Sequence, residues 1–384
     1  MQSLVIRGGN ILLPEGVFRR DDLYLADGAI AEIGAAARGA IALDAGGLLV
    51  LPGIVDIHGD AFERQIQPRP GVEFPIPMAL ADTEAQLLAN GITTAFHGIT
   101  LSWEPGLRSL QTWRALLKAL KERAWTCDMR VHLRWEAYNL DALTDALADI
   151  RGGNVHLLAF NDHTPAILRR CDDAATVGKY SERAGISLDE FRQVAARIAD
   201  FAPSVPEGLR SIGAAARDAG IPIASHDDAT TAMREEFRAH GARICEFPTA
   251  MEVAVAARAA GDWVVMGSPN VVRGGSHLGW ASAAVLAEAG LCNVLSSDYF
   301  YPAMLRAAFV LAQRGTFDLP RAWAFISTNP AAATGLGDRG AICLGRRADL
   351  VLVDPEKPRV VATIAGGRIA HLTSEGASRL RSLT

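Results

Sequence analysis

Residues 56–71 read DIHGDAFERQIQPRPG, and the apolar run LLVLPGIVDI feeds directly into them. His58 and Asp60 therefore stand at the end of an expected strand. Side chains two apart on a strand share one face. An imidazole and a carboxylate on one face are donors suited to zinc, iron or manganese. A metal-binding pair of the His-x-His type would carry histidine at position 60, where this chain has Asp60. The same spacing recurs in VHLRWE, where His132, Arg134 and Glu136 face one way and Val131, Leu133 and Trp135 the other.

Polar tips of this kind follow eight apolar segments. In chain order they are His58 and Asp60; His97; His132, Arg134 and Glu136; Asn161, Asp162 and His163; His226, Asp227 and Asp228; Glu246; Ser268 and Asn270; and Ser297 and Asp298. Packing alone does not account for buried strand bodies that all end this way. A single histidine at a strand end is ordinarily a hydrogen-bonded structural residue, and His97 and His132 are read so. His58 with Asp60, set opposite His226 and Asp298, is read as a metal site because the placement is joint.

Helical stretches such as DTEAQLLAN, LRSLQTWRALLKALKERA and EGLRSIGAAARDAG separate these strands. Eight strands alternating with helices over about 270 residues predict a (β/α)8 barrel, here residues 51–337. A doubly wound open sheet would call for a Gly-rich phosphate loop after the first strand, and IVDIHGDAF has none. Residues 1–50 and 338–384 alternate short apolar runs with Gly and Asp turns. They predict one small β-sandwich built from both ends. The stretch 164–206 is too long for an ordinary connection. It is expected to be a helical insertion acting as a lid or substrate clamp, and SLDEFRQVAARIADF opens with a capping-box pattern, Ser187 and Glu190.

The chain has 384 residues, 49% hydrophobic, with a net charge of −5. That balance argues against nucleic acid or a membrane surface as partner. Five cysteines stand singly, as expected in a reducing cytoplasm. The opening MQSLVIRGG lacks a basic, then apolar, leader pattern, and no apolar run is long enough to span a membrane. A cytoplasmic location is expected.

LPGIVDIHGD, ISTNPAAATGL and GAICLGRRADLVLVD resemble the amidohydrolase superfamily. The resemblance covers essentially the whole chain and implies a metal-dependent barrel flanked by a two-ended sandwich. Within it, HGDAFERQIQPRPGV, GITTAFHGIT, HLRWE, FNDHTP, ASHDD and PNVVRGGSH look like the diphosphatases of the carbon–phosphorus lyase pathway. Those enzymes hydrolyse α-D-ribose 1-methylphosphonate 5-triphosphate to the 5-phosphate and pyrophosphate. The resemblance thus implies a phosphorylated sugar as substrate, and a homo-oligomer is compatible with it. One departure is Gln65, where some members carry histidine.

Many amidohydrolases bridge two metals with a carboxylated lysine. Lys118, Lys121, Lys179 and Lys357 are the only lysines and none ends a strand, so Glu136 is read as the bridging carboxylate. The expected ligands are His58, Asp60, Glu136 and His226, joined by His163 and Glu246. They would hold one or two divalent ions, zinc first, with manganese or iron also compatible. Asp298 stands where the superfamily places its catalytic aspartate, and it is assigned to orient and deprotonate the attacking water. A polyphosphate substrate needs cations and amides. Arg64, Arg69, Arg134 and Arg273 are assigned to it, with Lys179 reaching in from the insertion, Asn270, and the backbone amides of Gly274 and Gly275. Two other functions compete: C–N bond hydrolysis, as in a deacetylase or deaminase, and a metal-free binding scaffold.

Overall fold

The computed structural model describes residues 3–34, 41–171, 173–275 and 282–382. Eight parallel strands form the barrel: β1 (Ile54–Gly59), β2 (Ile92–Leu101), β3 (Asp128–Glu136), β4 (Leu157–Asn161), β5 (Ile223–His226), β6 (Ile244–Glu246), β7 (Trp263–Gly267) and β8 (Val294–Ser296). Each pairs with its sequence neighbour, and a parallel bridge between Gly59 and Asp298 joins β8 back to β1. Helices lie between successive strands, as in Ile76–Ala89 and Leu110–Lys121.

In β3 the two faces divide as the period-2 pattern predicts, whereas β1 breaks register against β2 between Asp56 and Gly59, so that Ile57 joins the interior cluster directly before His58. Val131, Leu133 and Trp135 of β3 pack outward with Trp113, Leu116 and Phe160 against the helix layer. Val55, Ile57, Phe96, Leu157, Ala224, Val265 and Val294 fill the barrel interior. That apolar plug leaves the inward side chains nearer the strand ends as the floor of a site, as this fold requires.

The chain ends form a separate nine-stranded mixed sheet. Its strand Leu4–Leu12 changes partner along its length: Leu4–Arg7 pair with Ile41–Asp44, and Asn10 and Ile11 with Leu49 and Val50. C-terminal strand Leu350–Asp354 then pairs antiparallel with Leu49–Pro52. Ile6, Ile11, Leu23, Val50, Leu350 and Ile364 share its buried core. Leu49–Pro52 runs on into β1, so this sheet holds the strand that carries His58.

The insertion is helical: Thr164–Arg169, Ala174–Ala184 and Leu188–Ala199. Ser187 and Glu190 make the expected capping box. Ile167, Val177, Phe191, Ala195 and Ile198 bury against Trp103, which follows β2. Among the described residues, no helix is long and apolar enough to cross a membrane.

Candidate active site

Three strand tips share one backbone device. Asp227, Phe247 and Asp298 have φ of 58°, 51° and 56°, a left-handed conformation that costs of order 1–3 kcal/mol when glycine is absent. Each tip amide is captured by the next strand: Asp227 by the Glu246 carbonyl, Phe247 by Val265 and Asp298 by His58, all at 2.9 Å. The turn directs the side chains at positions 227 and 298 into the mouth. Asp56, fully buried two residues before His58, completes the β1–β8 seam. Its Oδ2 accepts from the Ser297 hydroxyl at 2.6 Å, and its Oδ1 accepts from the Ser297 amide at 3.0 Å.

Glu246 is the centre of the site. Its carboxylate lies 2.9 Å from His58 Nδ1, 3.3 Å from His226 Nδ1 and 3.7 Å from His132 Nε2. All four side chains are buried. The His58 and His226 rings stack with centroids 5.0 Å apart. A second group shares His226: His163 Nε2 is 3.4 Å, and His226 Nε2 3.6 Å, from Asp227 Oδ2. Donor atoms within each of the triads His58–His226–Glu246 and His163–His226–Asp227 lie within 4.8 Å of one another. His58 Nε2 and Glu246 Oε1 have no hydrogen-bond partner although both are buried. Uncommitted buried donors of this kind fit a divalent cation.

The electrostatics agree. Burial, with the Arg134 charge second, pushes His58 down to about 3, and burial holds His226 well below its usual value. Both are therefore neutral, the form that ligates metal. Burial raises Glu246 to about 7. Burial, then the Asp60 charge, raises Asp298 to about 8. His163 rises to about 9: burial opposes its charge, but hydrogen bonds to Asp227 and Glu136 prevail. Crowded acids that cannot all ionise are what a bound cation relieves. Arg134 supplies one positive charge among them, with Nη2 2.8 Å from His226 Nε2 and Nη1 3.4 Å from Asp60 Oδ2.

A cavity of about 170 Å³ opens over this centre, lined by His58, Asp60, Arg134, His226, Asp227, Asn270, Arg273, Gly275, Asp298 and Tyr299 among others. Asp60 lines it but belongs to neither donor triad. Glu136 belongs to neither triad, although it contacts His163 of the second. Its Oε1 accepts from the amides of His163 and Thr164 and from the Thr164 hydroxyl, and its Oε2 faces His163 Nδ1 at 3.2 Å. The carboxylate meets the start of helix Thr164–Arg169, where unpaired amides attract it. Glu246 occupies the central position expected of Glu136. Asp227 was not among the expected ligands. The Asp–Asp pair after His226 signals a tip, but only the left-handed turn selects which aspartate enters the mouth.

The cationic residues divide. Arg134 and Arg273 line the cavity. Arg64 lies over the Tyr299 ring, 5.7 Å from its centre. Arg69 is exposed in a turn bridged to Val72, and Lys179 is exposed on the insertion; neither lines the cavity. The Gly274 and Gly275 amides donate to the carbonyls of Val271 and Asn270. They close the end of helix Ser268–Arg273, so they are not free to cradle phosphate as expected. Residues 276 and 277 of the PNVVRGGSH motif lie outside the described residues.

The amidohydrolase family model matches residues 49–376. The α-D-ribose 1-methylphosphonate 5-triphosphate diphosphatase of Escherichia coli (strain K12) is 35% identical over 319 residues, 81% of this chain and 84% of that protein. A dihydroorotase of Geobacter sp. (strain M21) is 35% identical over 96 residues, 24% of this chain and 21% of that protein. Among solved structures, the β-aspartyl dipeptidase of Fervidobacterium islandicum AW-1 is similar at TM-score 0.65 and 15% identity, covering 97% of both chains. A D-hydantoinase is similar at TM-score 0.64 and 15% identity, covering 97% of this chain and 96% of its own. At such identity the two structures establish the fold alone.

Proposed function

The chain belongs to the amidohydrolase family, and from that premise we propose a metal-dependent diphosphatase of phosphonate catabolism. Its substrate in this reading is α-D-ribose 1-methylphosphonate 5-triphosphate, and its products are the 5-phosphate and pyrophosphate. The observation that carries the hydrolase is the pair of donor triads sharing His226 beneath a cavity rimmed by Asp298. The phosphoanhydride rests on the relative from Escherichia coli, 35% identical over most of both chains, and on arginines at the cavity.

His58, His226, Glu246, His163 and Asp227 would hold the cation, which supplies Lewis-acid polarisation and a more acidic water. Asp298 orients the attacking water and takes its proton. A carboxylate whose pKa lies near the working pH suits that task, and burial places Asp298 at about 8. The water oxygen bonds to the α-phosphorus, and the α–β bridging oxygen departs with pyrophosphate. Arg134, buried beside the centre, offers its remaining N–H groups to phosphate oxygens.

Pyrophosphate release from the triphosphate, measured beside a panel of N-acyl amino acids and cyclic amides, tests this. Turnover of amides alone overturns the diphosphatase. Asp298→Asn is expected to lower kcat by roughly 10²–10⁴-fold while metal content by elemental analysis stays unchanged. Normal turnover in that variant would remove Asp298 as the base.

A further inference from the structure

Most arginines near the cavity are already committed. Arg134 serves Asp60 and His226. Arg108 makes a two-pronged pair with Glu63 at 2.9 and 3.1 Å, and Arg183 another with Glu104 at 2.7 and 3.1 Å. Arg64 and Arg273 differ: among the described residues neither forms an ion pair. Both instead converge on Tyr299. The Arg64 guanidinium lies over the ring at 5.7 Å, and Arg273 Nη1 donates to the phenol oxygen at 3.3 Å.

The three residues come from adjacent loops. Arg273 follows β7, Tyr299 follows β8 and Arg64 follows β1, and β8 lies between the other two around the barrel. Tyr299 is also the residue after Asp298. A ring face orients a guanidinium without neutralising it and leaves its in-plane N–H groups free. A phenol oxygen takes one N–H of Arg273 and leaves the rest. Two positive charges are thus held at the mouth, oriented but unspent.

We propose that Tyr299 organises a second anion subsite at the cavity mouth, gathering Arg64 and Arg273 around the terminal phosphates of a polyphosphate ester. This rests on the phosphoanhydride reading above and gives its substrate a polarity: the scissile α-phosphorus lies over Asp298, and the departing pyrophosphate lies outward on the two arginines.

Calorimetric titration of the metal-loaded protein with inorganic tripolyphosphate tests the subsite, with metal content measured before and after. Tyr299→Phe keeps the ring but loses the phenol oxygen that Arg273 donates to, so it is expected to weaken binding about 3-fold. Tyr299→Ala is expected to weaken it about 10-fold or more. In an Arg273→Ala background the Tyr299→Phe effect is expected to shrink. Equal binding by wild type and Tyr299→Ala, or full additivity of Tyr299→Phe with Arg273→Ala, overturns the proposal. So does wild type that releases pyrophosphate from the ribosyl triphosphate yet does not bind tripolyphosphate. Wild type that binds tripolyphosphate but never releases pyrophosphate overturns the diphosphatase while the subsite stands.

Discussion

Gly267 shows how one missing methyl shapes the site. Its φ is −72°, open to any residue, so conformational freedom does not explain it. A Cβ there would lie 2.8 Å from Asp298 Oδ2. Gly267→Ala is therefore expected to displace that carboxylate, lowering kcat by roughly 10–100-fold, since misplacement by about 1 Å can cost that much. The midpoint of denaturant unfolding should hardly move, because the displaced group is the free end of a side chain. Unchanged kcat would show that the carboxylate position does not matter. Among site residues, His58, His226 and Glu246 are legible in the sequence because each ends an apolar run. Asp227 and Tyr299 are not: a turn with positive φ and a contact with loops far along the chain leave no periodic trace.

At the scale of elements, the β1–β8 seam decides whether Asp298 faces the metal donors. Asp56 and Ser297, both fully buried, lock it with two hydrogen bonds. Ser297→Ala removes one and leaves a buried carboxylate oxygen short of a partner. The expected loss is about 1–3 kcal/mol, read from denaturant midpoints. A double-mutant cycle with Asp56→Asn should return a coupling of about 1 kcal/mol or more; zero coupling would make the seam contact incidental. The eight strands and the faces of β3 follow from alternation and can be read without coordinates; the register shift of β1 between Asp56 and Gly59 cannot. The orientation of Glu136 cannot. It depends on which helix start lies nearest, and the insertion beginning at Thr164 claims it. Nor does sequence predict that the insertion is pinned to the barrel by Arg183 and Glu104, since nothing in either segment's own pattern marks a partner 79 residues away.

For the whole molecule, the site imposes a pH dependence on stability. Glu246 at about 7 and Asp298 at about 8 bind protons more tightly folded than unfolded. Their contribution is present at low pH and is lost as pH rises through those values. His58 and His132 at about 3 and His97 at about 4 have the opposite sign, losing stability as pH falls below about 6.5. The two sets oppose each other in acid. Above pH 6.5 the first set titrates, reinforced by His163 at about 9, whose share is reduced by its partial exposure. Metal-free protein is therefore expected to lose stability between pH 6.5 and 8.5, by up to about 1.4 kcal/mol per pH unit for each titrating group. Metal-loaded protein should show a flat or rising trend, because ligation needs deprotonated donors. Denaturant midpoints at the two pH values, with and without zinc, provide the measurement; a flat metal-free profile would contradict it. The terminal sheet is legible as β-structure at both ends. Its half-way change of partner along Leu4–Leu12 is not, because register is set by what packs above it.

The seam also orders events in time. Asp56 and Ser297 are 241 residues apart in the chain, so a ribosome exposes the histidine of the first strand long before the last strand that completes its surroundings. A nascent chain ending before β8 holds His58, His226 and Glu246 but has neither Asp298 nor the closure of the ring. Contacts of such long sequence separation form slowly. Closure of the barrel around those donors is therefore a late step in biogenesis, and the pairing of Leu350–Asp354 with Leu49–Pro52 comes later still.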